Sequence, residues 1–307
     1  MKVFAYPLLL CCLMLTACQD DSKTDPESTT PTTAAQPTTP ATSTAPASAN
    51  NVSTPAGSSG ESGFVPQGYQ KVWSDEFDYT GLPDTTKWGY QTGGYGWTAK
   101  ELQNYLKADP DNVGVENGVL RITALEERIG RNPYTSTRLV SKGKAEFDQG
   151  YFEVRAQVPS GQGLRSSFWM VGDTVSKMGW PNAGEIDLFE HYGKFPTVMN
   201  AAVQNFDNYW SKGNQMGGSK IVKDAETAFH VYSLEWTETE LKFGVDGEVY
   251  WTYQQPAGRG WRGYPYRWPF YMAATLAVGG VRGPQTPPTP DAFPANMYID
   301  YVRVYQK

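Results

Sequence analysis

The sequence predicts an all-β fold, two antiparallel sheets packed as a sandwich, on three observations. The segment "YFEVRAQVP" alternates without a break: Phe152, Val154, Ala156 and Val158 share one face, while Glu153, Arg155 and Gln157 share the other, the pattern of a half-buried strand. Asp246-Gly247 separates "LKFGV" from "EVYWTY", and both residues tolerate the positive φ that a tight hairpin turn demands. No window of twelve or more residues carries a helical apolar period, and Gly and Pro punctuate the chain throughout. A two-sheet jelly roll or a barrel satisfies these signals, and they favour the sandwich.

Taken in chain order, residues 1–18 read as a secretory leader, with Lys2 ahead of an apolar run too short to span a bilayer as a helix. The leader ends in Leu15-Thr16-Ala17-Cys18, which resembles the lipobox of bacterial lipoproteins. That resemblance implies lipidation at Cys18, export, and an anchor in the bacterial outer membrane, since Gln19 rather than Asp follows. All three cysteines, Cys11, Cys12 and Cys18, fall in the leader, so the expected mature chain has no disulfide and no thiolate metal site. The two histidines, His191 and His230, are too few for most histidine-based zinc sites. Residues 19–63 are dominated by Thr, Pro, Ser, Ala and Gly and bury too little apolar surface to offset ordering entropy, so they read as a disordered tether. Residues 64–307 hold every tryptophan and fit a single β-sandwich domain. A formal net charge of -6 with no basic stripe argues against a nucleic-acid partner.

Within that domain, "GVLRITA", "VYSLEWT" and the terminal "MYIDYVRVYQ" repeat the strand signal. "GKAEF" precedes "YFEVRAQVP" across Asp148-Gln149-Gly150, a spacing that predicts a hairpin. The stretch "NAGEIDLFEHYG", residues 182–193, breaks the pattern. In a regular strand Glu185 and Asp187 share a face, and Glu190 falls on the other with Ile186 and Leu188. A helix scatters the three acids, and an unpaired buried carboxylate is costly. One extra residue near Leu188 or Phe189, a β-bulge, returns Glu190 to the face of the other two. The outer glutamates are then about four strand steps apart, and inward-leaning side chains bring their carboxyl groups to about 5 to 6 Å, nearer the retaining than the inverting glycosidase geometry. Three acids this close cannot all ionise easily, so at least one is expected to hold its proton near neutral pH.

Around these acids the chain resembles glycoside hydrolase family 16, in particular its bacterial laminarinase-like members with a bulged E-x-D-x-x-E motif. The resemblance is carried by "VWSDEF", "GWTAKELQNY", "VENGVLRITA", "YTSTRLVSKGK", "GYFEVRAQVPSGQGL", "FWM", "GWPNAGEIDLFEHYG", "LAVGG" and "YIDYVRVYQ", in that order. It implies a concanavalin A-like jelly roll with a concave cleft, and a retaining endo-glycosidase acting on a β-linked polysaccharide, foremost an endo-β-1,3-glucan. A galactan, an agar-type polymer or a mucin-type glycan is the alternative substrate, and a non-catalytic glycan-binding lipoprotein the alternative class. By the resemblance Glu185 is the nucleophile, Glu190 the acid and then the base, and Asp187 the group that hydrogen-bonds the nucleophile. No cofactor is expected for catalysis, and the working form is expected to be a monomer.

Sugar rings present flat C–H faces, so a glycan cleft calls for aromatic rings. Trp97, Trp169 and Trp180 match cleft aromatics of the family, whereas Trp73, Trp88, Trp236 and Trp251 sit in strand patterns that read as core. Arg138 matches a substrate-facing arginine, and Gln204 takes a position near a family histidine and is assigned to substrate. His191 follows Glu190 and by alternation points away from it. The resemblance also implies a structural calcium on the convex side, held by backbone carbonyls of Glu76 and Gly118 and the side chain of Asp300, which by parity shares the inward face of Val302 and Val304. Three departures bear on specificity: Arg165-Ser166 where Trp-Pro is common, Lys100 where Asn is common, and Gln204 itself. Whether Arg165 faces the substrate or a carboxylate of the protein is left open by the sequence.

Overall fold

The computed structural model describes residues 55–58, 60–94, 99–280 and 287–307. Cys18, the leader, most of the tether and Trp97 lie outside the described residues. Two eight-stranded antiparallel sheets form the domain. The first runs, edge to edge, through β16 (Glu248–Gln254), β15 (Glu240–Val245), β14 (His230–Trp236), β9 (Gly150–Gln157), β18 (Ala295–Gln306), β5 (Val119–Ala124) and β4 (Val113–Glu116). β1 (Gln70–Asp75) pairs with the C-terminal half of β18. The second runs through β13 (Met216–Ile221), β12 (Val198–Gln204), β11 (Glu185–Tyr192), β10 (Leu164–Gly172), β17 (Phe270–Val278), β7 (Arg138–Val140) and β2 (Gly89–Tyr90). β8 (Glu146–Phe147) pairs with β17, and β3 (Gln103–Tyr105) and β6 (Tyr134–Ser136) form a short parallel pair. Among the described residues the only α-helix is a four-residue turn, α1 (Val175–Met178).

The core lies between the sheets and is built by the alternation that identified the strands. Phe152, Val154 and Ala156 of β9 and Leu234 and Trp236 of β14 face Phe168 and Met170 of β10, Ile186 and Phe189 of β11 and Met272 of β17. Aromatic contacts join the layers, Phe189 to Tyr232 at 4.6 Å and Trp236 to Phe270 at 5.1 Å between ring centroids. Each such side chain stabilises the fold by about 1.5–3 kcal/mol when fully buried. Trp88 and Trp236 are buried and Trp73 and Trp251 pack against the core, as their strand patterns predict.

Two local expectations change. β15 and β16 form the hairpin read at Asp246-Gly247, with φ of 49° and 81° at the two turn residues. The turn at Asp148-Gln149-Gly150 makes no hairpin: β8 joins the second sheet and β9 the first, so these residues are a corner between layers. A short turn between two strand-like segments is common to a hairpin and a corner, and only the partners of β17 distinguish them. Residues 60–62 and Ser58, which composition assigns to the tether, lie against the first sheet. Ser58 bonds Asp300, Ser62 bonds Glu153, and Gly60 O accepts from Arg303.

Candidate active site

The three acids lie on β11, and the bulge read from parity is present. Against β10, Phe168 pairs with Phe189 and Trp169 with Asp187, leaving Leu188 unmatched. Against β12, Asp187 pairs with Ala202 and Glu190 with Asn200, again one residue too many on β11. Leu188 and Phe189 both enter the core, and Glu190 returns to the face of Glu185 and Asp187. Gly184, at φ 83°, leads into the strand where a Cβ would lie 2.8 Å from Pro265 and 2.9 Å from Phe270, so no larger residue fits there.

Glu185 and Asp187 face a cleft of about 180 Å³ on the side of the second sheet turned away from the core, and Glu190 lies on the same strand face. Glu185 and Asp187 line it with Trp169, Trp180, Arg138 and Arg165. Trp180 Nε1 donates to Glu185 Oε2 at 2.9 Å, and its ring meets Tyr209 edge-on at 5.7 Å. Trp169 Nε1 donates to Thr275 Oγ1 at 2.9 Å, which fixes the ring on the cleft wall, and the Arg138 guanidinium lies 4.8 Å from that ring. Asp187 accepts from Gln204 Nε2 at 3.2 Å. Gln204 is fully buried and its Oε1 also accepts from the Trp210 N–H, so it supports Asp187 and the Trp210 loop from below. Its expected place on the substrate is corrected on that ground: no part of it reaches the cleft surface. His191 points away from the acids, as alternation requires, and its Nε2 meets Pro196 O at 3.3 Å.

Arg165 is the residue whose direction the sequence left open. It is buried beneath the cleft and joins two carboxylates, Glu190 Oε1 at 2.9 Å from Nη1 and Glu101 Oε1 at 2.5 Å from Nη2. Burial works against the guanidinium charge, but Glu101 and Glu190 outweigh it and raise its pKa well above the ordinary value. Burial pushes the Glu101 carboxyl up, and the Arg165 and Arg138 charges, with a hydrogen bond from Gln103, hold it below the usual range. Glu101 also accepts from the Tyr105 hydroxyl at 3.2 Å. Nothing local in "GWTAKELQNY" marks Glu101 for this role; the one signal in the sequence is the unexplained arginine at 165, which needs an acid partner. Trp210, Tyr271 and Gln91 also line the cleft and were missed, since nothing local separates a cleft aromatic from a core one.

Of the expected calcium set, the Asp300 side chain is engaged by protein groups in this arrangement. Asp300 lies at a second bulge, opposite the step from Arg155 to Ala156 on β9, so it faces outward with Arg155 and not inward with Val302 and Val304. Its Oδ2 takes Arg155 Nη1 at 2.6 Å and Ser58 Oγ at 2.8 Å, and its Oδ1 takes the Ser58 N–H. The Gly118 carbonyl and Asp300 Oδ1 do converge, but on Gly57. Among the described residues no group of three or more His, Cys, Asp or Glu side chains is arranged to hold a metal.

Residues 100–303 match the family described as Glycosyl hydrolases family 16. The chain belongs to that family. It is 45% identical over 246 residues to a beta-glucanase of Rhodothermus marinus, covering 78% of this chain and 85% of that protein. The crystal structure of the laminarinase from Rhodothermus marinus superposes with a TM-score of 0.75 at 44% identity, covering 78% of this chain and 97% of that one. A keratan-sulfate endo-1,4-beta-galactosidase of Sphingobacterium multivorum is 32% identical over 245 residues, 78% of this chain and 55% of that protein. As a family 16 member the chain is an endo-acting O-glycosyl hydrolase on a jelly-roll fold.

Proposed function

We propose that this glycosidase cleaves β-1,3-linked glucan within the chain by a retaining double displacement. The observation that carries the reading is the bulge at Leu188, which sets Glu185, Asp187 and Glu190 on one face beside an aromatic-walled cleft. Glu185, oriented by Trp180, attacks the anomeric carbon and forms a glycosyl ester while the bond to the leaving sugar oxygen breaks. Glu190 gives that oxygen its proton, then takes a proton from the water that hydrolyses the ester. Asp187, held by Gln204, stands between them and tunes both charges. Trp169 and Trp180 supply the stacking walls and Arg138 a polar contact at the cleft edge.

A panel of laminarin, mixed-linkage glucan, galactan, agarose and mucin glycans tests the substrate, with products sized and their linkage mapped. Laminarin oligomers with β configuration at the first time points support the reading, whereas turnover of galactosides alone replaces it with a galactanase. The relation to a keratan-sulfate galactosidase makes that the second reading, since family 16 chemistry serves both polymers. Binding without turnover on any polymer, with Glu185→Gln no different from wild type, returns the chain to a glycan-binding module. The lipobox-like Leu15-Thr16-Ala17-Cys18 and the Thr/Pro-rich segment that follows it support a lipid-anchored enzyme at the outer membrane. Radiolabelled palmitate incorporation, lost in Cys18→Ala, tests the anchor.

A further inference from the structure

Arg165 poses a problem for the proposed acid. Its guanidinium lies 2.9 Å from Glu190, whereas the first step needs Glu190 to give up a proton. Glu101 answers it, because Arg165 has two acid neighbours and the three side chains carry one positive and up to two negative charges. With all three ionised the buried group is negative by one. Protonating one acid makes it neutral, the state a low-dielectric site prefers.

Which acid takes that proton is decided by the surroundings. Glu101 has the shorter contact to Arg165, hydrogen bonds from Gln103 Nε2 at 2.8 Å and the Tyr105 hydroxyl at 3.2 Å, and the Arg138 charge nearby. Glu190 has Arg165 and a Tyr192 hydroxyl at 3.5 Å, with Asp187 and Glu185 on its own face of β11. From β12 Asn200 donates to its backbone carbonyl, and His191 is turned to the other face. The closer donors and the second cation are thus gathered at Glu101, whereas Glu190 has one longer hydroxyl contact and shares its face with two further acids.

We propose that Arg165 and Glu101 form a self-neutralising pair that positions the Glu190 carboxyl and leaves it as the member of the three that carries a proton when substrate binds. The inference rests on the reading of Glu190 as the acid. Arg165 is thereby a positioning residue of the reaction and not a grip on an anionic sugar, since both its carboxylate-facing nitrogens are engaged inside the protein.

The test is the pH profile of kcat/KM on laminarin, or on whichever polymer of the panel above is turned over. In Glu101→Gln the guanidinium acts on Glu190 alone, and the alkaline limb moves to lower pH by about one unit or more. In Arg165→Gln two facing acids remain, and the limb moves to higher pH. Tyr105→Phe removes one donor from Glu101 and moves the limb in the direction of Glu101→Gln by a smaller step, which keeps the test available if the buried charge variants fail to fold. Lower activity with unmoved limbs in the variants that fold overturns the pair as a proton-placing device. Glu190→Gln separates this from the reading beneath it: wild-type turnover in that variant removes Glu190 as the acid and the proposal with it. A loss of about 100-fold or more there, with static limbs in Glu101→Gln, removes the proposal alone.

Discussion

The indole N–H of Trp180 donates to Glu185 Oε2 at 2.9 Å while its ring walls the cleft, so one side chain both orients the proposed nucleophile and faces sugar. Trp180→Phe keeps the wall and removes the donor. A hydrogen bond to a charged group contributes about 1.5–3 kcal/mol, so kcat is expected to fall by about 10- to 100-fold with KM little changed, measured by steady-state kinetics on laminarin. His191 and Glu226 form a second residue-scale device on the core side of β11, 3.7 Å apart. Burial pushes the His191 imidazole down to about 4 and Glu226 up to about 7. Between pH 4 and 6.5 the unfolded chain binds the His191 proton and the folded protein does not, so this group withdraws stability as pH falls, on the order of 3 kcal/mol at most. Glu226 has the opposite sign: the folded protein holds its proton up to about pH 7, and stability is lost as pH rises from 4.5. The two offset each other in the wild type. Glu226→Gln is expected to expose the histidine slope, with urea midpoints rising more steeply from pH 4.5 to 6.5, and a profile parallel to wild type would refute it.

At the scale of elements, the bulge on β11 is the feature most legible in the sequence, because a misplaced charge among Ile186 and Leu188 has few physical remedies. Deleting Leu188 closes the bulge but leaves Glu185, Asp187 and Glu190 at alternate positions on one face, so turnover is expected to survive in part while the loss of a buried side chain lowers the melting temperature. A Leu188 deletion that folds but shows no turnover in steady-state kinetics would show that a common face for the three acids is not sufficient. The bulge on β18 escaped notice for a related reason. Asp300 by parity belongs with Val302 and Val304, but an inward Asp is as easily assigned to a metal as to an irregular strand, and only the register against β9 decides. The corner at Asp148-Gln149-Gly150 was likewise unreadable, because the partner of β8 lies more than a hundred residues away in β17.

At the scale of the molecule, Ser58 and residues 60–62 close over the outward side of the first sheet through Asp300, Glu153, Arg303 and Tyr305. A chain beginning at Phe64 loses these contacts and is expected to melt several degrees below one beginning at Asn51, at about 2–4 °C per kcal/mol for a domain of this size. Arg155 already supplies a positive charge to the Asp300 carboxylate, so EDTA and added calcium are expected to leave the melting curve unchanged. A chelator-dependent drop would mean that the cation displaces Ser58. By itself the sequence determined the β class, most strands, the core tryptophans and the common face of the three acids, because alternation and parity are local and admit few solutions. The tertiary structure alone decided that Gln204 lies beneath the cleft, that Asp300 faces Arg155, and that Arg165 answers to Glu101. Those pairings join residues 17 to 145 positions apart, and only the packing of the sheets brings such partners within hydrogen-bond reach.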